Sequence, residues 1–267
     1  MIDCHAHLDD AMFGSDVEAI VKRAEAAGVR AVVTAGVDLQ SSERAVELAE
    51  QYEIVYAAVG FHPHDAAKMQ LRDVAALHAL AQHPKVVAIG EIGLDYYRDR
   101  SPRDIQHEAL TRQLDIAAQL GLPVVVHCRE AKEDTLDVLT TWSRAVREQY
   151  GGRPLGMLHC FSEDLKTALH YIAEGFYISL AGPVTYPNAK NTQEVAAAAP
   201  LEWLLTETDS PYLPPQNQRG KRNEPSNVGA VVNQIVELRG ILPEEVVRRT
   251  SENAMTLFKL NVPSYAT

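Results

Sequence analysis

The chain has 267 residues, 46% of them hydrophobic but only 6% aromatic, and a formal net charge of −11. That charge excludes a surface that grips nucleic acid along an extended basic track, and the lack of any run of eighteen apolar residues gives no reason to expect a membrane partner. An apolar mass of Ala, Val, Ile and Leu suits parallel strands and their covering helices, and an α/β barrel of roughly 200 to 250 residues absorbs such a length as one unit, here residues 1–267.

In chain order, short apolar runs alternate with longer segments of helical spacing, the pattern of repeated βα units. The first run, Ile2 to His5, starts in MIDCHAHLD, so the N-terminus leaves no room for the basic and apolar regions of a signal peptide, and a cytoplasmic location is expected. His5 and His7 project from one face of this strand, about seven ångströms apart along the chain, and can close on one ion. A helix is expected over Asp16 to Ala27, with Gly28 as its cap, and a strand over Ala31 to Ala35. A helix over Ser42 to Gln51 then leads to a strand over Val55 to Gly60, and His62 and His64 follow in the next loop.

The fourth run, Val86 to Gly90, ends at Glu91, where a buried carboxylate is costly unless a cation meets it. The cation is either a metal or an arginine, for which Arg98, Arg100 and Arg129 are candidates. Ser101-Pro102 marks the start of a helix over Pro102 to Leu120, capped by Gly121. Strands over Val124 to His127 and Gly156 to His159 flank a helix over Lys132 to Tyr150, and each ends in a histidine whose nitrogens need partners in an apolar wall. After a helix from Ser162, over Glu163 to Glu174, come strands over Tyr177 to Leu180 and Trp203 to Thr206, eight in all, which is the number that closes a barrel.

Asp209 follows the eighth strand, and Glu207 shares its face; Glu207 reads best as a carboxylate that orients a ligand histidine. A proline-rich loop carrying Arg219, Lys221 and Arg222 precedes helices over Asn227 to Arg239 and Pro243 to Leu260. His78, His83, His107 and His170 are expected on helical segments, away from the site. The three cysteines, Cys4, Cys128 and Cys160, are an odd count without close pairing, which fits a reducing compartment. Each adjoins a candidate ligand histidine, so strand alternation should pack it under a helix as a small hydrophobe, in preference to thiolate ligation.

His5, His7, Glu91, His127, His159 and Asp209 thus collect at one end of a closed sheet. Imidazoles with two carboxylates suit divalent Zn, Mn or Mg, most simply two ions bridged by Glu91. His5, His7, Glu91 and Asp209 would hold the first ion, and Glu91, His127 and His159 the second.

The ordered motifs His5-Ala-His7, VGFHPH at 59–64, GEIGLDYY at 90–97, HCR at 127–129, HCF at 159–161, ETDSPYL at 207–213 and RGKRNEP at 219–225 resemble the TatD family of metal-dependent deoxyribonucleases over almost the whole chain. The resemblance implies a (β/α)₈ TIM barrel of the amidohydrolase-like superfamily, one to three divalent metals and DNA as substrate. It implies ligand roles for the same six residues. Lys85 opens the fourth strand at the end away from the mouth, so no modified lysine bridge is needed.

The mechanism expected from these pieces is in-line attack of a metal-activated water on phosphorus, with Glu91 bridging and Asp209 taking the proton. His62, His64, Arg129, Arg219, Lys221 and Arg222 are the candidates for phosphate contacts. Tyr96, Tyr97, Phe161 and Tyr212 could stack on bases, although packing at the rim is the more common use of such residues. The acidic surface favours an exonuclease on single-stranded or frayed ends over an endonuclease on long duplex. The rivals are hydrolysis of an amide, lactone or ester, including aminoacyl esters on tRNA, and a scaffold that binds metal without catalysis.

Overall fold

A computed structural model describes residues 1–262, so the last five residues of the unit expected over 1–267 lie outside it. Among the described residues, eight strands form one sheet in the order of the chain, every neighbouring pair parallel. They are β1 (Ile2–Ala6), β2 (Ala31–Ala35), β3 (Val55–Val59), β4 (Val86–Asp95), β5 (Val124–Arg129), β6 (Gly156–Leu158), β7 (Phe176–Leu180) and β8 (Leu204–Thr206). The segment after β8 closes the seam against β1: Asp209 N–H donates to the His5 carbonyl at 2.9 Å, and His7 N–H to the Ser210 carbonyl at 2.7 Å. The result is a (β/α)₈ TIM barrel.

The covering helices are α1 (Val17–Ala26), α2 (Leu39–Gln51), α3 (Leu71–Leu80), α4 (Arg103–Leu120), α5 (Lys132–Tyr150), α6 (Leu165–Ala173) and α7 (Lys190–Ala198), followed by α8 (Val228–Arg239) and α9 (Pro243–Phe258). Two of them start away from the expected residue because an aspartate caps the first turn. Asp38 accepts Ser41 N–H at 2.8 Å, so α2 begins at Leu39 and not Ser42. Asp164 accepts Thr167 N–H at 2.8 Å, so α6 begins at Leu165 and not Glu163. His83 lies in the turn before β4, not on a helix.

Alternation along the strands separates two apolar layers. Val32, Val59, Ile89, Val126 and Ile178 pack outward among helix residues such as Ile20, Leu114 and Leu139. Ile2, Val33, Val125, Met157 and Leu205 fill the interior, and Leu257 and Phe258 of α9 join them. Cys4 belongs to this inner set, contrary to the expectation that it lies under a helix. The β1–β2 register shifts between Asp3 and Ala6, which breaks strict alternation and lets Cys4, His5 and His7 share the inner side. Cys128 packs against the outer layer as expected.

β4 extends five residues beyond the expected stop at Gly90. Its added length pairs with β5 through Ile92–Val126, Gly93–His127, Leu94–Cys128 and Asp95–Arg129. Gly93 makes this possible: its φ is +145°, and a Cβ there would lie 1.9 Å from the His127 carbonyl oxygen. The strand therefore carries Glu91 and Asp95, four residues apart, toward the same end of the barrel.

Candidate metal centre

At the end of β1 the Nε2 atoms of His5 and His7 lie 3.1 Å apart. His7 Nδ1 is 3.0 Å from the Ala35 carbonyl, which accepts only, so Nδ1 carries a proton and in the neutral ring Nε2 presents its lone pair to the centre. Asp209 joins them because the seam brings the segment after β8 alongside β1. Asp3, fully buried, accepts the Thr208 N–H at 2.8 Å and the Thr208 hydroxyl at 2.6 Å, and Asp209 itself takes a left-handed φ of +55°. Asp209 Oδ1 stands 3.6 Å from His5 Nε2 and 3.5 Å from His7 Nε2.

Glu91 is 2% exposed, and its two oxygens face different histidines. Oε2 lies 3.4 Å from Nε2 of both His5 and His7. Oε1 lies 2.9 Å from His127 Nδ1, 2.9 Å from His159 Nε2 and 3.2 Å from His62 Nε2. His127 Nδ1 and His159 Nε2 are themselves 3.1 Å apart. The arginines Arg98, Arg100 and Arg129 are not its partners; imidazoles surround the carboxylate instead.

These spacings test whether the residues fit a metal. Donors about 2.1 Å from one tetrahedral cation are about 3.4 Å from one another. The His5, His7, Glu91 Oε2 and Asp209 contacts span 3.1 to 3.6 Å, and the Glu91 Oε1, His127 and His159 contacts 2.9 to 3.1 Å. Both sets fit, with one carboxylate shared between them. Thiolates do not join either set: the groupings of closely spaced donors among the described residues consist of His, Glu and Asp.

His62 also stands beside Glu91 and His127, but its hydrogen bonds give it a different part. Its Nδ1 accepts the His64 N–H at 3.0 Å, so in the neutral ring the proton is on Nε2, which points at Glu91 Oε1 as a donor. A donor N–H cannot ligate a cation. His64 Nε2 instead meets Asp95 Oδ2 at 2.8 Å, and His127 Nε2 meets the same oxygen at 3.1 Å. Asp95 is fully buried and also accepts the Arg98 N–H at 2.7 Å, while Gln106 of α4 grips its backbone. With Asp95 holding Nε2, His127 turns Nδ1 to the centre. Glu207 faces His159 from the corresponding side, with Oε1 3.4 Å from Nδ1 and no hydrogen bond between them, and it accepts the Cys160 N–H at 2.7 Å and the Ser179 hydroxyl.

The electrostatics follow from this crowding. Burial alone would raise Glu91, but His159, His62 and His127 outweigh it and hold the carboxyl well below its usual range. Burial would likewise lower His7; Asp209 and Glu91 overcome it and push the imidazole up to about 9. Burial does prevail at His62, which falls to about 4 despite Glu91. At Asp95 the bonds from His127 and Arg98 outweigh burial, and the carboxyl is lowered.

The centre forms the floor of a cavity lined by His7, His62, His64, Glu91, His127, His159 and Asp209, with Asp9, Asp10, Arg98, Arg100, Arg129 and Tyr212 around it. Arg129 is therefore at the mouth. Arg219, Lys221 and Arg222 do not line it: Arg219 covers the Tyr186 ring, and Arg222 is drawn to Asp16 at 3.1 Å, Glu224 at 3.3 Å and the Phe13 ring. Phe161 packs in the outer apolar layer against Tyr171, and the Tyr96 hydroxyl meets His107 and Asp134. Lys85 caps the opposite end of the barrel, bonded to the carbonyls of Glu53 and Val55.

Comparison with known proteins gives the same outline. Residues 2–259 match the model of the family described as TatD related DNase. The uncharacterized metal-dependent hydrolase YabD of Bacillus subtilis is 42% identical over 98% of this chain and 100% of its own length. A Salmonella typhimurium protein named 3′-5′ ssDNA/RNA exonuclease TatD is 35% identical over 97% of this chain and 99% of its own. The crystal structure of YJJV, a TatD homolog from Escherichia coli, superposes with a TM-score of 0.90 at 33% identity, covering 97% of this chain and 98% of that one.

Proposed function

This chain belongs to the TatD-related DNase family of metal-dependent hydrolases, and on that premise we propose that it cleaves phosphodiester bonds of DNA as an exonuclease on single-stranded or frayed ends. Glu91 carries the reading, because each of its oxygens belongs to a separate donor set of cation spacing at the floor of one cavity. His5, His7, Glu91 and Asp209 would hold one ion, and Glu91, His127 and His159 a second, drawn from Mg, Mn or Zn. A bound pair of ions lowers the pKa of a water and offsets charge on phosphoryl oxygens.

The remaining steps fall to the chain. Asp209, ionised and facing the cavity, accepts a proton from the attacking water. The water oxygen bonds to phosphorus, the P–O bond to the departing ester oxygen breaks, and that oxygen takes up the proton that Asp209 received. The Arg129 guanidinium donates to the non-bridging oxygens, while His62, its Nε2–H held by Glu91 Oε1, walls the cavity beside them. His64, held by Asp95, lines the approach beside them. A cationic rim of Arg98, Arg100 and Arg129 favours a phosphate over a neutral amide or lactone, and the name of the Salmonella relative supports a single-stranded nucleic acid.

Protein stripped of metal and reloaded with Mg, Mn or Zn singly should degrade oligonucleotides labelled at either end. If no metal yields cleavage while an ester or amide turns over, the rival hydrolase is correct. If nothing turns over although metal binds, the chain is a scaffold.

A further inference from the structure

The charges around the cavity are sorted by side. Arg98 and Arg100 follow β4, and Arg129 ends β5; Asp9 and Asp10 follow β1, and Tyr212, whose hydroxyl donates to Asp10, follows β8. In a closed sheet ordered β1 to β8, β5 lies four strands from β1 in either direction, so the two groups face each other across the metal donors. Asp65, between them, is already taken by Lys68 at 2.5 Å.

The cationic side is unpaired. Among the described residues, Arg98, Arg100 and Arg129 make no ion pair, whereas Arg23, Arg44, Arg103, Arg112, Arg147 and Arg248 each do. Arg129 rests 4.0 Å and Arg98 5.5 Å from the ring centre of Tyr97, which steadies the guanidiniums without neutralising them. In a chain of net charge −11, three arginines left without carboxylates at a cavity rim await an anion from outside. Asp10 is committed differently: its carboxylate accepts Met12 N–H at 2.7 Å and the Tyr212 hydroxyl, both neutral donors that leave its charge in place.

We propose that the cavity admits a polynucleotide in one orientation, with the phosphates of the retained strand on the Arg98, Arg100 and Arg129 side and the terminal nucleoside against Asp9 and Asp10, so that a phosphorylated end is rejected. The proposal rests on the phosphodiesterase reading and adds its specificity. A strand running on past the metal donors would bring its next phosphate to two carboxylates, which is why only an end fits. The end that fits carries a hydroxyl.

The test is equilibrium binding by fluorescence anisotropy. The metal-loaded protein is titrated with a single-stranded DNA oligonucleotide that has phosphorothioate linkages at both ends and an internal fluorophore. Four versions carry hydroxyl or phosphate at the 3′ or the 5′ end. Phosphate at one of the two ends should weaken binding about tenfold, the size of one like-charge contact partly screened by water. Replacing Asp9→Asn and Asp10→Asn together should shrink that penalty to within about twofold, because the carboxamides keep the shape and lose the charge. Arg129→Ala should weaken all four versions by a similar factor and leave the penalty intact. Equal binding of all four, tighter binding of a phosphorylated end, or no binding at all would overturn the proposal. Discrimination without cleavage of the unmodified oligonucleotide would overturn the nuclease reading alone.

Discussion

Asp95 Oδ2 lies 3.1 Å from Nε2 of His127, on the side of the ring away from the metal donors. The contact decides which nitrogen of His127 faces Glu91. Asp95→Asn removes the charge that holds the Nε2 proton, and we expect metal affinity to fall by about 10- to 100-fold, the usual cost of losing such a partner. Competition with a chelator measures it. Unchanged affinity would reduce Asp95 to a packing role.

Glu91→Gln should cost more. The carboxamide cannot bridge two cations, and its NH₂ would meet imidazole nitrogens that need acceptors or a metal. Turnover should drop to background and metal content fall below that of the unmodified protein, read by elemental analysis of the dialysed sample. Retained activity with full metal content would remove Glu91 from the bridge.

Metal binding should strengthen as pH rises from 7 to 9. In the metal-free protein Asp209 and Glu91 push His7 up to about 9 against the effect of burial, so over this window a cation competes with a proton. A raised imidazole stabilises the fold fully below its unfolded pKa of about 6.5 and loses that contribution as pH climbs through the folded value. The apoprotein should therefore lose stability between pH 6.5 and 9, and the loaded protein should not. Melting temperatures with and without chelator provide the check; parallel curves would count against it.

Gly93→Ala should be severely destabilising although it adds one methyl. The new Cβ would strike the His127 carbonyl oxygen, and the φ of +145° is unsuited to alanine. We expect a loss of about 3 kcal/mol or more, or roughly 6 to 12 °C in melting temperature for a chain of this size. Calorimetry of the metal-free protein isolates the backbone effect.

Lys221→Ala and Arg219→Ala, outside the cavity, should leave KM for oligonucleotides within about twofold, whereas Arg129→Ala should raise it several-fold. A large effect from the Arg219 loop would show that it folds over the mouth when substrate binds.

The barrel was legible because its strands are short apolar runs punctuated by helices of matching length, and the donor residues because a histidine or carboxylate at the end of such a run has no apolar use. Asp95 escaped that logic. A glycine at position 90 reads as the end of a strand, and only the pairing of Gly93 with His127 reveals that β4 continues. The Arg219–Arg222 cluster lies off the cavity for another reason. Its charge is local in sequence, but Asp16, which ties Arg222 to the start of α1, is some two hundred residues away and leaves no mark nearby. Cys4 was misplaced by the register shift in β1, which strict alternation cannot anticipate.

The seam between β1 and the segment after β8 joins the first donors to the last. His5 and His7 gain Asp209 only when both ends of the barrel have met, through the Asp3–Thr208 contacts across 205 positions of sequence. A chain still emerging from the ribosome accordingly holds an incomplete set of ligands for nearly all of its synthesis. A donor set split between the two ends of the chain therefore makes barrel closure and the assembly of this site one event.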